Sequence, residues 1–267
     1  MMNKNKLYII SFFAAFTSLF LSSCEEVIDI KLDKTDAIAV IEANVTNILE
    51  PQIIRISLTK PFTDDNTLQP LKNAVVTVKE ENGATYVFTE GTNGNYISSP
   101  FSGKPGKKYT VQVKANNKTY TAQSIMPQVV ILDSITVTEL TFFGDKRKFT
   151  QVNYHDTPNI NNQYNYVLSV NNELRNDYYV DSDRFNDGNK VTNTIFSDEP
   201  DLKTGDKVTI DFQCIDLSIY RYFFSISQIS GNGGPPTAPS NPDSNFDNGA
   251  LGYFSAHTSQ KVSVTIP

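Results

Sequence analysis

Tryptophan is absent from this chain, and cysteine and histidine occur only twice each. Two cysteines, Cys24 and Cys214, are too few for a cysteine-based zinc site. Basic residues are also in short supply: 23 Lys and Arg stand against 29 Asp and Glu, for a net charge of −6 with no basic run. Binding phosphates requires a basic surface, so a nucleic-acid partner is not expected. The lack of tryptophan also disfavours a carbohydrate role, since that ring is the one sugar-binding platforms commonly use. There is no phosphate loop, no Gly-x-Gly-x-x-Gly turn and no Gly-x-Ser-x-Gly nucleophile elbow. Helical periodicity is missing almost everywhere.

What is present begins with Lys4 and Lys6, followed by an apolar run from Leu7 to Leu21 that is broken only by Ser11, Thr17 and Ser18. A basic end, an apolar middle and small residues before a cut are the layout of a secretory leader. The run is shorter than the roughly 20 residues of a permanent membrane helix, and no basic stop-transfer cluster follows it. Leu21-Ser22-Ser23-Cys24 resembles the lipobox of bacterial lipoproteins. That resemblance implies cleavage after residue 23, a diacylglycerol on the Cys24 sulfur and a third acyl chain on its amino group. Multiple acyl chains give stable anchoring, at about 0.8 kcal/mol per buried CH₂. Acylation would also leave Cys214 with no disulfide partner. Glu25, Glu26 and Asp29 follow the anchor. They are similar to a surface-export signal, and they also fit a plain acidic tether.

From Ala39 onward short apolar runs of period two alternate with turn signals, which predicts an all-β chain. Expected strands in the first half are 39–46, 52–59, 74–80, 85–89, 94–98, 109–115 and 119–124, with Asn82-Gly83 as a tight hairpin turn and Asn116-Asn117 as another. Seven strands ending at Met126-Pro127 make a β-sandwich, and this half resembles sandwiches of immunoglobulin or transthyretin-like type. Strands are expected again at 131–138, 149–154, 164–170, 191–196, 207–215 and 251–256, with a last one carrying Val262, Val264 and Ile266. Asp216 is placed to cap one short helix in which Leu217, Tyr220, Phe224 and Ser227 fall at helical spacing, with Gly231 as its stop. The expected organisation is a leader at 1–23, a lipid-anchored tether at 24–38, a sandwich at 39–128 and a second β-rich domain at 129–267.

The order of the lipobox, Asn73-Ala74-Val75-Val76-Thr77-Val78, Gly94-Asn95-Tyr96, Gly106-Lys107-Lys108-Tyr109-Thr110-Val111, Tyr120-Thr121-Ala122, Pro127, Asn241-Pro242 and Gly249-Ala250-Leu251-Gly252-Tyr253-Phe254 resembles a family of Bacteroidetes outer-membrane lipoproteins. Its domain is known only as one of unknown function. The likeness covers nearly the whole chain after Cys24. Members are often encoded beside TonB-dependent receptors, which implies an outer-membrane accessory lipoprotein facing the cell surface, with such a receptor as its partner. No functional residue carries over. Structural duties are the expectation for Gly94 and Gly106 at turns, Tyr96 and Tyr109 in the sandwich, and Gly249 and Gly252 where backbones come close.

Candidate sites are sparse. Asp181, Asp183 and Asp187 offer hard-cation ligands from one loop, but Phe185 stands where a further ligand should be, so a solvated acidic loop is preferred. His155-Asp156 offers half of a Ser-His-Asp triad, but His155 follows a strand and precedes Thr157-Pro158 and reads as an exposed loop histidine, and nothing places His257 beside it. Cys214 alternates with Val208, Ile210 and Phe212 and is expected as a buried small hydrophobe. No catalytic residue and no cofactor is expected. The long polar stretches 171–189 and 231–248 are candidate contact loops, with Tyr178 and Tyr179 as anchors; the alternative puts these tyrosines in a strand with one ring in the core. Three functions fit: a non-enzymatic docking subunit of a transport barrel, a cell-surface hydrolase acting on polymers, or a structural surface protein.

Overall fold

The computed structural model describes residues 37–61, 67–142, 144–197, 201–229 and 241–267. The leader, Cys24, most of the tether and residues 231–240 of the second candidate loop lie outside the described residues. From Ala37 onward the chain forms one compact unit.

The protein is all-β. In chain order the strands are β1 (Ala39–Thr46), β2 (Ile53–Leu58), β3 (Gln69–Pro70), β4 (Val75–Glu80), β5 (Thr85–Glu90), β6 (Asn95–Ser98), β7 (Lys108–Ala115) and β8 (Lys118–Ile125). They continue as β9 (Leu132–Phe142), β10 (Asp145–His155), β11 (Gln163–Val170), β12 (Glu173–Leu174), β13 (Tyr179–Ser182), β14 (Lys190–Ile195) and β15 (Lys207–Ile215). Helix α1 (Leu217–Ile229) then leads to β16 (Leu251–Thr265). One hydrogen-bonded path runs β12-β11-β15-β16-β1-β2-β6-β5-β4-β7-β8, while β14-β10-β9 form a separate small sheet.

Period two decides which side chains meet. Ala39, Ile41, Ala43 and Val45 of β1 face Val76 and Val78 of β4 and Tyr109, Val111 and Val113 of β7 in a first apolar core, so the path folds over itself in sandwich fashion. The second core gathers Tyr164, Tyr166 and Leu168 of β11 with Val208, Ile210, Phe212 and Cys214 of β15, against Val152 and Tyr154 of the small sheet. Cys214 is a free, buried thiol, as its place in the alternation implies, and burial pushes its pKa up. The cores change over between Met126 and Val130, but Phe246, Ala250, Phe254 and Ala256 return to the first one near the C-terminus.

That return is the largest departure from the expected strands. Instead of two short strands, β16 is one continuous run of 15 residues. Its first half pairs parallel with β1, from Val40↔Leu251 to Thr46↔His257, and its second half pairs antiparallel with β15, from Cys214↔Thr258 to Lys207↔Thr265. The polar run His257 to Lys261 looks like a break in sequence but is mid-strand in the fold. Close pairing with β1 depends on Gly252, where φ is +92° and a Cβ would lie 2.1 Å from the Ile41 carbonyl oxygen.

Turn chemistry rests on asparagine. Every non-glycine residue with positive φ among the described residues is Asn, the residue that best tolerates the left-handed region after glycine. Asn116-Asn117 and Asn171-Asn172 each form two-residue turns with both φ positive. Asn82-Gly83 differs from expectation: the connection spans residues 81–84 and only Asn82 is left-handed. Residues 171–189 are likewise no open loop. β12 and β13 both pair back onto β11, and a 3₁₀ turn at Asp183–Phe185 follows.

Asp216 caps α1 as expected, its Oδ1 accepting from the backbone N–H of Ser218 at 3.0 Å and of Ile219 at 3.1 Å. The buried stripe is different, however. Ile219, Phe223 and Ser227 face inward, whereas Leu217 and Phe224 are exposed. Both sets have helical spacing, so periodicity alone does not choose between them. No helix among the described residues is long and apolar enough to cross a membrane.

Candidate functional site

On β15 the residues between the core positions, Asp211 and Gln213, point to the opposite face of the sheet. The same alternation puts Ser255, His257 and Ser259 of β16 on that face, beside Asn44 and Thr46 of β1 and Asn165 of β11. These strands are neighbours, so the residues align in rungs: Asn44 beside Ser255, Thr46 beside His257, and Asn165–Gln213–Ser259 across three strands. A polar sheet face would ordinarily meet water. Here α1 and the segment Leu174–Tyr178 close over it, leaving a cleft of about 390 Å³.

The floor is polar yet buried. Asn165, Gln213, Ser255, His257 and Ser259 are all at least nine-tenths inaccessible. Such burial is costly unless hydrogen bonds replace water. Asn165 Nδ2 donates to Gln213 Oε1 at 2.8 Å, and Gln213 Nε2 donates to Asp211 Oδ2 at 3.0 Å. The Ser259 hydroxyl donates to Asp211 Oδ1 at 2.6 Å. Ser255 Oγ and His257 Nδ1 lie 2.9 Å apart. The roof is aromatic: Tyr178 stacks on Phe223 at 5.5 Å between centroids, and Phe223 meets Tyr253 edge-on at 4.9 Å.

Burial pushes the pKa of His257 down to about 4, with the nearby Asp211 and Asp216 carboxylates only partly opposing it. The imidazole is therefore neutral at neutral pH. Its contact with Ser255 gives two members of a Ser-His-Asp arrangement but not the third, because neither Asp211 nor Asp216 hydrogen-bonds the ring. A base this weak removes a serine proton poorly at neutral pH. The geometry is suited to holding a ligand.

Of the two tyrosines singled out in the sequence, Tyr178 lines the cleft while Tyr179 packs against the second core and donates to Asp177 Oδ2 at 2.9 Å. Adjacent extended residues point to opposite sides, which separates the pair. The acidic residues also divide. Asp183 and Asp187 come together with Asp156, one oxygen from each lying within 4.8 Å of the others, and Asp181 is not in the group. Asp181 instead accepts from Asn193 Nδ2 at 3.0 Å, and burial raises its pKa. Within the trio, Asp156 accepts from Gly188 N at 2.9 Å, from Asn162 Nδ2 at 3.2 Å and from the Tyr164 hydroxyl. Asp183 accepts from Asn162 N at 2.7 Å, and Asp187 from Asn159 N at 2.8 Å. These three are the residues that could hold a hard cation, and their existing bonds already staple residues 156–162 to 183–188. His155 ends β10, exposed, and is not part of the cleft that contains His257.

Sequence reasoning missed the cleft floor. The available signal was the alternation of Asp211 and Gln213 with core residues, but that pattern is also the one a solvated sheet face shows.

The fold and site define an all-β protein with a roofed polar cleft on one sheet face. The family described as "Domain of unknown function (DUF4249)" matches residues 25–263, and the chain belongs to that family. No curated protein matches it.

Proposed function

We propose that this protein is a non-enzymatic lipoprotein, anchored to an outer membrane through acylated Cys24, that serves as an accessory or docking subunit of a TonB-dependent transport barrel. The observation that carries the non-enzymatic reading is the cleft, whose only histidine is held neutral with a low pKa and has no carboxylate bonded to it. A hydrolase of the Ser-His-Asp kind would need a more basic histidine, oriented by a carboxylate, at that place. Support for the anchor comes from the leader layout and from Leu21-Ser22-Ser23-Cys24; the family match starts at the next residue. Support for the barrel comes from the resemblance to lipoproteins encoded beside such receptors. An acyl anchor confines both partners to one membrane and raises their effective concentration, so a modest interface stays occupied.

The test has two readings from one preparation. Mass spectrometry of the membrane fraction should find the peptide beginning at Cys24 only in acylated form, and mild-detergent affinity purification after crosslinking should recover an outer-membrane barrel. An unmodified peptide extending upstream of Ser23 overturns the anchor. Recovery of the protein alone overturns the docking role.

A further inference from the structure

We infer that the cleft beneath α1 is a binding site for a neutral saccharide of one or two rings. The inference does not depend on a barrel partner.

Four observations lead there. First, the floor holds buried hydrogen-bonding side chains in number, and His257 is among them. His257 is 5% exposed and lines the cleft, with its Nδ1 2.9 Å from Ser255 Oγ. A ligand hydroxyl or amide reaching the floor could bond the imidazole there, since a neutral ring both donates and accepts.

Second, the charges leave no opening for an ion. Glu50, Asp177 and Asp211 line the cleft along with Arg175 and Lys261, so neither sign dominates. Both oxygens of Asp211 are already engaged by Ser259 and Gln213. An anionic ligand would meet three carboxylates, and a cationic one would meet two basic residues. A neutral ligand avoids both penalties.

Third, the floor is a sheet face and not a sheet edge. β16 is paired with β1 on one side and with β15 on the other, and β15 is paired with β11, so the main-chain groups there are consumed by the ladder. A peptide recognised by strand addition needs a free edge, and none is offered here. Between the charged residues, the floor recognises through amide, hydroxyl and imidazole side chains, which both donate and accept. Ligands that do the same at close spacing are those bearing vicinal hydroxyl groups.

Fourth, an aromatic cluster borders that floor, with Tyr253 rising from β16 beside Phe223 of α1 and Tyr178. Tyr178, Phe223 and Tyr253 form one cluster with centroid separations of 5.5 and 4.9 Å. Tyr178, the exposed member of the cluster at 37%, can offer a ring face to the C–H face of a pyranose while the floor takes its hydroxyls. The absence of tryptophan is thus made good by three smaller rings brought together from distant parts of the chain. The volume of about 390 Å³ falls within the usual small-molecule range of about 300–1,000 Å³ and suits a mono- or disaccharide.

Saturation-transfer NMR on the full chain, extracted in a non-glycosidic detergent, tests this. The probes are glucose, galactose, mannose, N-acetylglucosamine, maltose and diacetylchitobiose, with a blocked dialanine amide as the peptide control. The expected result is saturation of the ring protons of at least one sugar and none of the dipeptide. Tyr178→Ala, at a rim position that is 37% exposed, and His257→Gln should each weaken that sugar at least tenfold with circular dichroism unchanged. Saturation of the dipeptide alone, of none of the probes, or of a sugar undiminished in Tyr178→Ala overturns the inference. Sugar binding by a protein that purifies without a barrel would uphold the inference and remove only the docking role. A barrel-bound protein that ignores every sugar would do the reverse.

Discussion

Acidification should destabilise this protein through His257 by an amount that can be separated from all other titrations. In the unfolded chain the imidazole has its ordinary pKa of 6.5, and in the fold burial pushes it down to about 4. Between those values the unfolded state binds a proton that the folded state refuses, so stability falls as pH falls from about 6.5 to about 4 and is unaffected by this group above that window. At about 1.4 kcal/mol per tenfold in the proton equilibrium, the full effect is about 3 kcal/mol, and about 2 kcal/mol of it is expressed by pH 4.5. Desolvation sets the sign against the charged groups that face the ring. Asp211 and Asp216 favour the imidazolium, and desolvation outweighs them. Carboxylates elsewhere also titrate in this range, so the assay is a comparison. Urea unfolding of wild type and His257→Gln at pH 7 and pH 4.5 should show wild type losing about 2 kcal/mol more than the variant, whatever the offset between them at pH 7. In a His155→Gln background, the single remaining imidazole resonance should titrate near pH 4. Parallel losses in the two proteins, or a resonance titrating near 6.5, would refute the reasoning.

Two further perturbations probe the frame around the cleft. Gly252→Ala places a Cβ 2.1 Å from a backbone oxygen of β1 at a φ of +92°, so it should lower stability by at least about 3 kcal/mol and fail to accumulate as folded protein; a wild-type urea midpoint would show that β1 and β16 are not packed this closely. Asp156→Ala strands three donors, the buried Tyr164 hydroxyl among them, and should cost about 3 kcal/mol, whereas Asp187→Ala, exposed and bonded to one backbone N–H, should cost less than about 1 kcal/mol. Equal costs in thermal melts would mean that the acidic trio does not staple its loops in this way.

Local chemistry made much of this protein legible before any fold was in view. Alternation of apolar and polar residues located the strands, since a half-buried strand needs nothing beyond its own side chains to declare period two. The bounds of β1 and β15 emerge unchanged. Asn116-Asn117 announced a turn because positive φ is a property of the residue itself. Asp216 announced a helix start because a cap bonds only the next turn.

Tertiary structure decided everything that depends on residues distant in sequence. Tyr178 and Tyr179 parted because one side of their segment meets α1 and the other meets the second core. Asp156 joined Asp183 and Asp187 because β10 delivers it to their turn, a meeting that no local spacing records. The run from His257 to Lys261 was ambiguous between a solvated break and a strand, and it became the floor of a cleft only because β1 and β15 pair along the two halves of β16 while α1 closes above. A sequence states which side chains share a face. Whether that face meets water, a core or a ligand depends on which element comes to lie across it.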